Sequence, residues 1–199
     1  MLDTYGRKYI DRIFHKGAEL FSRMGLKPTH VTVIAGAIGI LGSIAFVFGD
    51  LMVSIALLWI SGYLDAVDGT MARRSGKVSP CGTLLDIWID RLVEISYIIA
   101  FAMQCKDATF TLLILTCTIV LSMTVFLTSG MLMENSGIKS FHYQPGLMER
   151  TEGFIMFTIM IIFYLYMKIL ALIYGILILF TAIQRLVMAI KVLGGNNEK

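Results

Sequence analysis

Long apolar runs broken by short polar intervals set the pattern of this chain. Residues 2–26, LDTYGRKYIDRIFHKGAELFSRMGL, carry charges throughout and so cannot form a span. Tyr5, Tyr9, Ile13, Phe14, Ala18, Phe21 and Met24 recur there at helical spacing, with Lys8, Arg12, Lys16 and Arg23 largely off the stripe. This predicts an amphipathic helix lying in a membrane interface, cations towards the headgroups. Pro28-Thr29 then opens a stretch to residue 49 without Asp, Glu, Lys or Arg, with Thr29 or Thr32 as its cap. Its length suffices to cross a hydrocarbon core of about 30 Å. Asp50 marks a turn before a second span over 51–74, and Ser75-Gly76-Lys77 forms a short loop. Pro80 starts a third helix running to about 104, and 108–133 is a fourth, uncharged span. After a polar loop from Glu134 to Gln144, a fifth span covers 147–167, Lys168 marks a tight turn, and a sixth covers 169–191.

The fold class expected is therefore all-α and integral to the membrane: six transmembrane helices preceded by an N-terminal amphipathic interfacial helix. The chain divides into a juxtamembrane helix (1–26), a six-helix transmembrane catalytic domain (27–193) and a polar tail (194–199). Composition agrees. Of 199 residues, 57% are hydrophobic and 16% charged, against about 45–50% and about 25% in soluble domains. Mean hydropathy is +0.77. Cys81, Cys105 and Cys117 form no CxxC pair, so neither a disulfide framework nor a zinc site is implied. The charged, amphipathic N-terminus does not read as a cleavable signal peptide. The net charge of +3 is small, and no nucleic-acid partner is expected. Its placement matters more. Fourteen of the 17 Lys and Arg fall on the side of the termini and the 73–77 loop, and only Lys106 and Lys168 on the other, with Arg91 inside a helix. Both termini and that loop are thus expected to be cytoplasmic.

Four aspartates interrupt the apolar pattern. Asp65 and Asp68 are three residues apart in the second span, and Asp86 and Asp90 four apart in the third. On helices each pair shares one face, and a short loop between antiparallel neighbours can turn the two faces together. Ionisable groups in spans are costly and usually functional. Unpartnered carboxylates so placed would repel, and hard divalent cations such as Mg²⁺ or Mn²⁺ relieve that repulsion through oxygen ligands. Two such ions about 4 Å apart suit in-line phosphoryl displacement. Gly69 and Ala72 leave a ligand room to approach the helix backbone, Arg73 offers a guanidinium for phosphate, and Gly82 opens the approach to Asp86.

The run Asp65-x2-Asp68-Gly69-x2-Ala72-Arg73-x8-Gly82-x3-Asp86-x3-Asp90 resembles the signature of the CDP-alcohol phosphotransferase family at every defined position. GLKPTHVT is similar to the start of that family's first span, with Thr29 where Asn is usual. The resemblance implies six spans, a cytoplasmic-side active site, an interfacial helix and a homodimer. It also implies transfer of a substituted phosphate from a CDP-linked lipid donor to a small alcohol acceptor, with release of CMP. Asp65, Asp68 and Asp86 would then hold metal. Asp90 would face the acceptor as metal ligand, general base or both. Gly69, Ala72, Arg73 and Gly82 would contact the nucleotide, and Arg150, Arg185 and Lys139 the acceptor.

The acceptor divides the expectations. Users of inositol phosphate resemble one another in a Lys near the end of the fourth span and a Glu-Arg-x-Glu-Arg run opening the fifth. Here Met133 stands near the Lys position, and the run reads Glu149-Arg150-Thr151-Glu152-Gly153. Two cations are missing, which favours an unphosphorylated hydroxyl, for instance that of serine. The alternatives are a phosphorylated acceptor (inositol phosphate or glycerol 3-phosphate) and a soluble CDP-alcohol donor with a lipid acceptor. A cation transporter, the competing class, predicts acids strung along a route, whereas these cluster beside Arg73, Arg74 and Lys77. Glu94 is expected to pair with Arg91, and Gly36, Gly39 and Gly42 to permit close helix packing.

Overall fold

The structure, a computed structural model, describes residues 2–76, 78–135 and 146–194. They form seven α-helices: α1 (Leu2–Arg23), α2 (Pro28–Val47), α3 (Leu51–Arg74), α4 (Pro80–Gln104), α5 (Thr109–Asn135), α6 (Arg150–Ile162) and α7 (Met167–Gly194). The boundaries have local causes. Prolines stand at the first position of α2 and α4, where their missing N–H removes no helical hydrogen bond. Ser79 caps α4, its Oγ accepting from the Gly82 amide at 3.0 Å. Past the end of α2, Gly49 takes a left-handed φ of 87°, and Asp50 N donates back to Ala45 O at 3.0 Å. That closure reverses the chain into α3 within three residues.

Among the described residues, four helical stretches have the length and apolarity to cross a membrane: Pro28–Val47, Leu51–Arg74, Lys106–Met133 and Tyr164–Gly194. The remaining two expected spans differ from these. α4 is long enough, but its charges interrupt the apolar pattern. The expected fifth span is only the 13-residue α6, about 20 Å long at 1.5 Å per residue. A break at Phe163 and a 3₁₀ turn over Tyr164–Tyr166 follow it, so Lys168 lies inside α7 rather than at the expected turn.

A groove on α2 sets the register that matters for the site. Gly36, Gly39 and Gly42 present no side chain, and Ile89, Val93 and Tyr97 of α4 fill the space. Those three recur every four residues, one ridge of α4. Seating that ridge on α2 leaves Asp86 and Asp90, on the neighbouring face, turned towards α3. Two buried hydrogen bonds fix the arrangement: Ser61 Oγ to Ala35 O (2.8 Å) and Tyr97 OH to Ser54 O (3.0 Å). A Cβ at Gly39 would lie 2.7 Å from Val93 and 2.8 Å from Ser61 Oγ. Gly39→Val should therefore lower stability by about 1–3 kcal/mol through overpacking. The check is thermal unfolding in detergent, where an unchanged midpoint would contradict the packing account.

α1 docks on α3 rather than standing alone. Ala18 is buried, Phe14 stacks 5.9 Å from the Tyr63 ring, and Arg74 Nη1 donates to His15 O at 3.2 Å. On the other flank α3 meets α6 in an antiparallel ladder. Trp59 Nε1 donates to Thr158 Oγ1 at 3.1 Å, Gly62 accommodates the Phe154 ring, and Asp65 meets Arg150. The intervals of three on α3 and four on α6 keep all three pairs on facing sides.

Candidate active site

Asp65 and Asp68 leave α3 towards α4, and Asp86 meets them. One carboxylate oxygen from each of the three lies within 4.8 Å of the others. Asp65 and Asp68 are buried, and Asp86 is half-buried. Asp68 Oδ2 and Asp86 Oδ1 are shielded from solvent and lack a hydrogen-bond partner among the described residues. Buried carboxylate oxygens without a partner are costly. Three converging hard donors, two with orphaned oxygens and none from His or Cys, fit a divalent ion of the Mg²⁺ or Mn²⁺ class.

The fourth acid stands apart from this trio. Asp90, one turn further along α4, accepts from Arg150 Nη2 at 2.8 Å, and the same nitrogen pairs with Asp65. Arg150 opens α6 immediately after the buried Glu149, so the α3–α6 ladder carries its guanidinium to the acids.

Two cavities meet at the trio. The outer one, about 910 Å³, is lined by Asp68, Asp86 and all four residues expected at the nucleotide: Gly69, Ala72, Arg73 and Gly82. The first turns of α2 and α4 also face it, through Thr29 and Thr32 and through Ser79 and Thr83. Helix N-termini carry partial positive charge and free amides, which suits an anion. Arg73 folds back to donate to Thr70 Oγ1 at 3.2 Å, and a Cβ at position 69 would stand 3.2 Å from its Nη1.

The inner cavity, about 430 Å³, runs from Asp65, Asp86 and Asp90 to Arg150 and Arg185. Arg185 enters from α7 with its guanidinium 5.1 Å over the Phe126 ring, and its buried Nε lacks a hydrogen-bond partner among the described residues. Lys139 lies outside the described residues. Arg91 and Glu94, which pair with each other as expected, also line this cavity. The sequence treats Arg91 only as a structural partner. Its position directly after Asp90 is the signal that places it near the acids. For Thr32 the signal is its place one turn into α2.

The CDP-alcohol phosphatidyltransferase profile matches residues 26–194. Over 80 residues the chain is 36% identical to the archaetidylinositol phosphate synthase of Pyrococcus horikoshii, covering 40% of this chain and 43% of that protein. The matched stretch is thus less than half the length of that relative. It is 29% identical to the inner membrane protein YnjF of Escherichia coli over 167 residues, 80% of this chain and 81% of that one. Phosphatidylinositol phosphate synthase of Mycobacterium tuberculosis, solved with CDP-DAG bound, superimposes with a TM-score of 0.72 at 24% identity, over 90% of this chain and 94% of that one. A second structure of that enzyme, with manganese and citrate, gives 0.70 at 21% identity over 86% of each chain. Four membrane-length helices and a membrane-protein relative make this an integral membrane protein. A profile match over most of the chain, on a fold that brings three of the four motif acids to one point, establishes that it belongs to the CDP-alcohol phosphatidyltransferase family, a family of transferases of substituted phosphate groups.

Proposed function

We propose that this chain transfers a phosphatidyl-type group from a CDP-linked lipid to the hydroxyl of a phosphorylated polyol, releasing CMP. One observation carries the reading: Asp86 lines both cavities, whereas Asp68 lines only the outer and Asp90 only the inner. A donor pyrophosphate in the outer cavity and an acceptor hydroxyl in the inner one would meet at the acids. Arg73 and the two helix N-termini hold the nucleotide end. Asp90 takes the proton from the acceptor hydroxyl as that oxygen bonds to the phosphorus distal to the cytidine. The bond from that phosphorus to the bridging oxygen breaks, and the electron pair leaves with CMP. Asp65, Asp68 and Asp86 would hold Mg²⁺ or Mn²⁺, which when bound neutralises pyrophosphate charge and the charge developing on CMP.

The acceptor assignment reverses the expectation drawn from Met133 and Gly153. Met133 is buried at 4% exposure, so that position faces the protein core. From the sequence, Arg150, Arg185 and Lys139 stand against the two missing cations, and Arg91 is not counted. Arg91 of α4 and Arg185 of α7 reach the same cavity as Arg150. Arg91 is paired with Glu94 and Arg150 with Asp65 and Asp90, while the buried Arg185 Nε has no hydrogen-bond partner among the described residues and is the donor best placed for an acceptor phosphate. Relatives named as synthases of inositol phosphate lipids, archaeal and bacterial, favour the same choice and leave the donor as CDP-diacylglycerol or its archaeal ether counterpart. The reading takes α4 and α6 as the remaining two of six spans within residues 27–193, α1 as the interfacial helix, and the termini and site as cytoplasmic, as the Lys and Arg asymmetry supports.

The test is a competition assay with CDP-diacylglycerol and CDP-archaeol. Inositol 1-phosphate and glycerol 3-phosphate are offered beside inositol, glycerol and serine, and lipid products are read by mass spectrometry. CMP release and product formation are expected with a phosphorylated acceptor only. A serine or free-inositol product would restore the unphosphorylated reading.

A further inference from the structure

Arg150 meets two acids on two helices through one nitrogen. Its Nη2 donates to Asp90 Oδ1 on α4 at 2.8 Å and pairs with Asp65 on α3. Asp65 is 7% exposed and belongs to the trio that converges on one point. α6 therefore delivers a fixed positive charge into the cluster that fits a divalent ion. The guanidinium serves only part of that cluster. Asp65 and Asp90 are paired, while Asp68 Oδ2 and Asp86 Oδ1 are buried without a hydrogen bond among the described residues. An arriving ion would find those orphaned oxygens open and would have to take Asp65 from Arg150. Two cations at one carboxylate in a poorly solvated site repel strongly.

We propose that Arg150 is a built-in counter-cation that competes with the divalent ion for Asp65. The inference rests on the metal-site reading given under Proposed function. Without the ion, Arg150 holds α3, α4 and α6 together across carboxylates that would otherwise repel. When the ion takes Asp65, Arg150 keeps Asp90, and its released donors face the inner cavity that Arg185 shares. Ion binding and anion binding in that cavity are then linked, and linkage of this kind is reciprocal.

The experiment uses the full chain in nanodiscs, stripped of metal, with free Mn²⁺ followed by electron paramagnetic resonance during titration. Arg150→Gln, which keeps a polar side chain without the charge, should bind Mn²⁺ at least about fivefold more tightly than wild type, the lower end of coupling between linked sites. Arg150→Lys has a shorter side chain and one ammonium in place of the fork, so it should fall between the two. Metal-free Arg150→Gln should also unfold at lower temperature than wild type, and Mn²⁺ should raise its midpoint by more. If that variant does not survive metal removal, Arg150→Lys against wild type decides the matter. Mn²⁺ binding by wild type with unchanged or weaker affinity in the variants overturns the counter-cation role and leaves the metal site standing. No Mn²⁺ binding by any of the three overturns the metal site as well.

Discussion

Asp90→Asn is expected to lower kcat by at least ~10²-fold, the usual cost of losing a general base, while affinity for the CDP-linked lipid stays close to wild type. The separation follows from the cavities. Asp90 lines the inner one only, and the outer one, with Gly69, Ala72, Arg73 and Gly82, does not include it. Asparagine keeps the size and a carbonyl oxygen for Arg150 Nη2 but cannot take a proton. Asp68→Asn is the counterpart, because Asp68 lines only the outer cavity, and it should weaken donor binding along with turnover. Single-turnover kinetics with CMP release, beside equilibrium binding of a CDP-lipid analogue, would distinguish the two. A near-normal rate for Asp90→Asn at saturating acceptor would remove it from the chemistry.

Chelation with EDTA is expected to abolish turnover, and added Mg²⁺ or Mn²⁺ to restore it. The trio supplies oxygen donors alone, two of its buried oxygens have no hydrogen bond among the described residues, and no His or Cys belongs to the group. Such a set prefers hard cations. Without the ion, the pyrophosphate would face carboxylates at its reacting end, so CDP-lipid affinity should fall together with the rate. The assay is CMP release after chelation and readdition, paired with donor binding in both states. Undiminished turnover in EDTA would exclude a dissociable divalent ion from the reaction.

Much of the site is local and therefore legible. Intervals of three and four residues place each aspartate pair on one helix face whatever surrounds it. The Ser75–Ser79 interval is short enough to keep the acid-bearing end of α3 close to the start of α4. Gly69 before Arg73 and Gly82 before Asp86 are spaced by helix geometry, and all four face the cavities as expected. The apolar runs likewise locate α2, α3, α5 and α7, because a span of about 20 apolar residues is a statement about composition and length. Over 147–167 composition says less: hydropathy sees the apolar side chains but not the backbone break at Phe163, which follows 13 helical residues.

What the sequence by itself determined is the family, the membrane setting and the identity of the acids, since all rest on residue type and short-range periodicity. Only the tertiary structure decided how those acids are shared. Asp65, Asp68 and Asp86 gather, while Asp90 turns to Arg150, which lies 60 residues away in the chain. No periodicity encodes that pairing. It follows from two packing registers, the α4 ridge in the glycine groove of α2 and the Trp59–Thr158, Gly62–Phe154 ladder between α3 and α6. The inner cavity's cations are of the same kind. Arg91, Arg150 and Arg185 come from three helices and meet only because those helices close around one space. A linear motif weighs each position against its neighbours in sequence, whereas which guanidiniums and carboxylates share one cavity is set by neighbours in space.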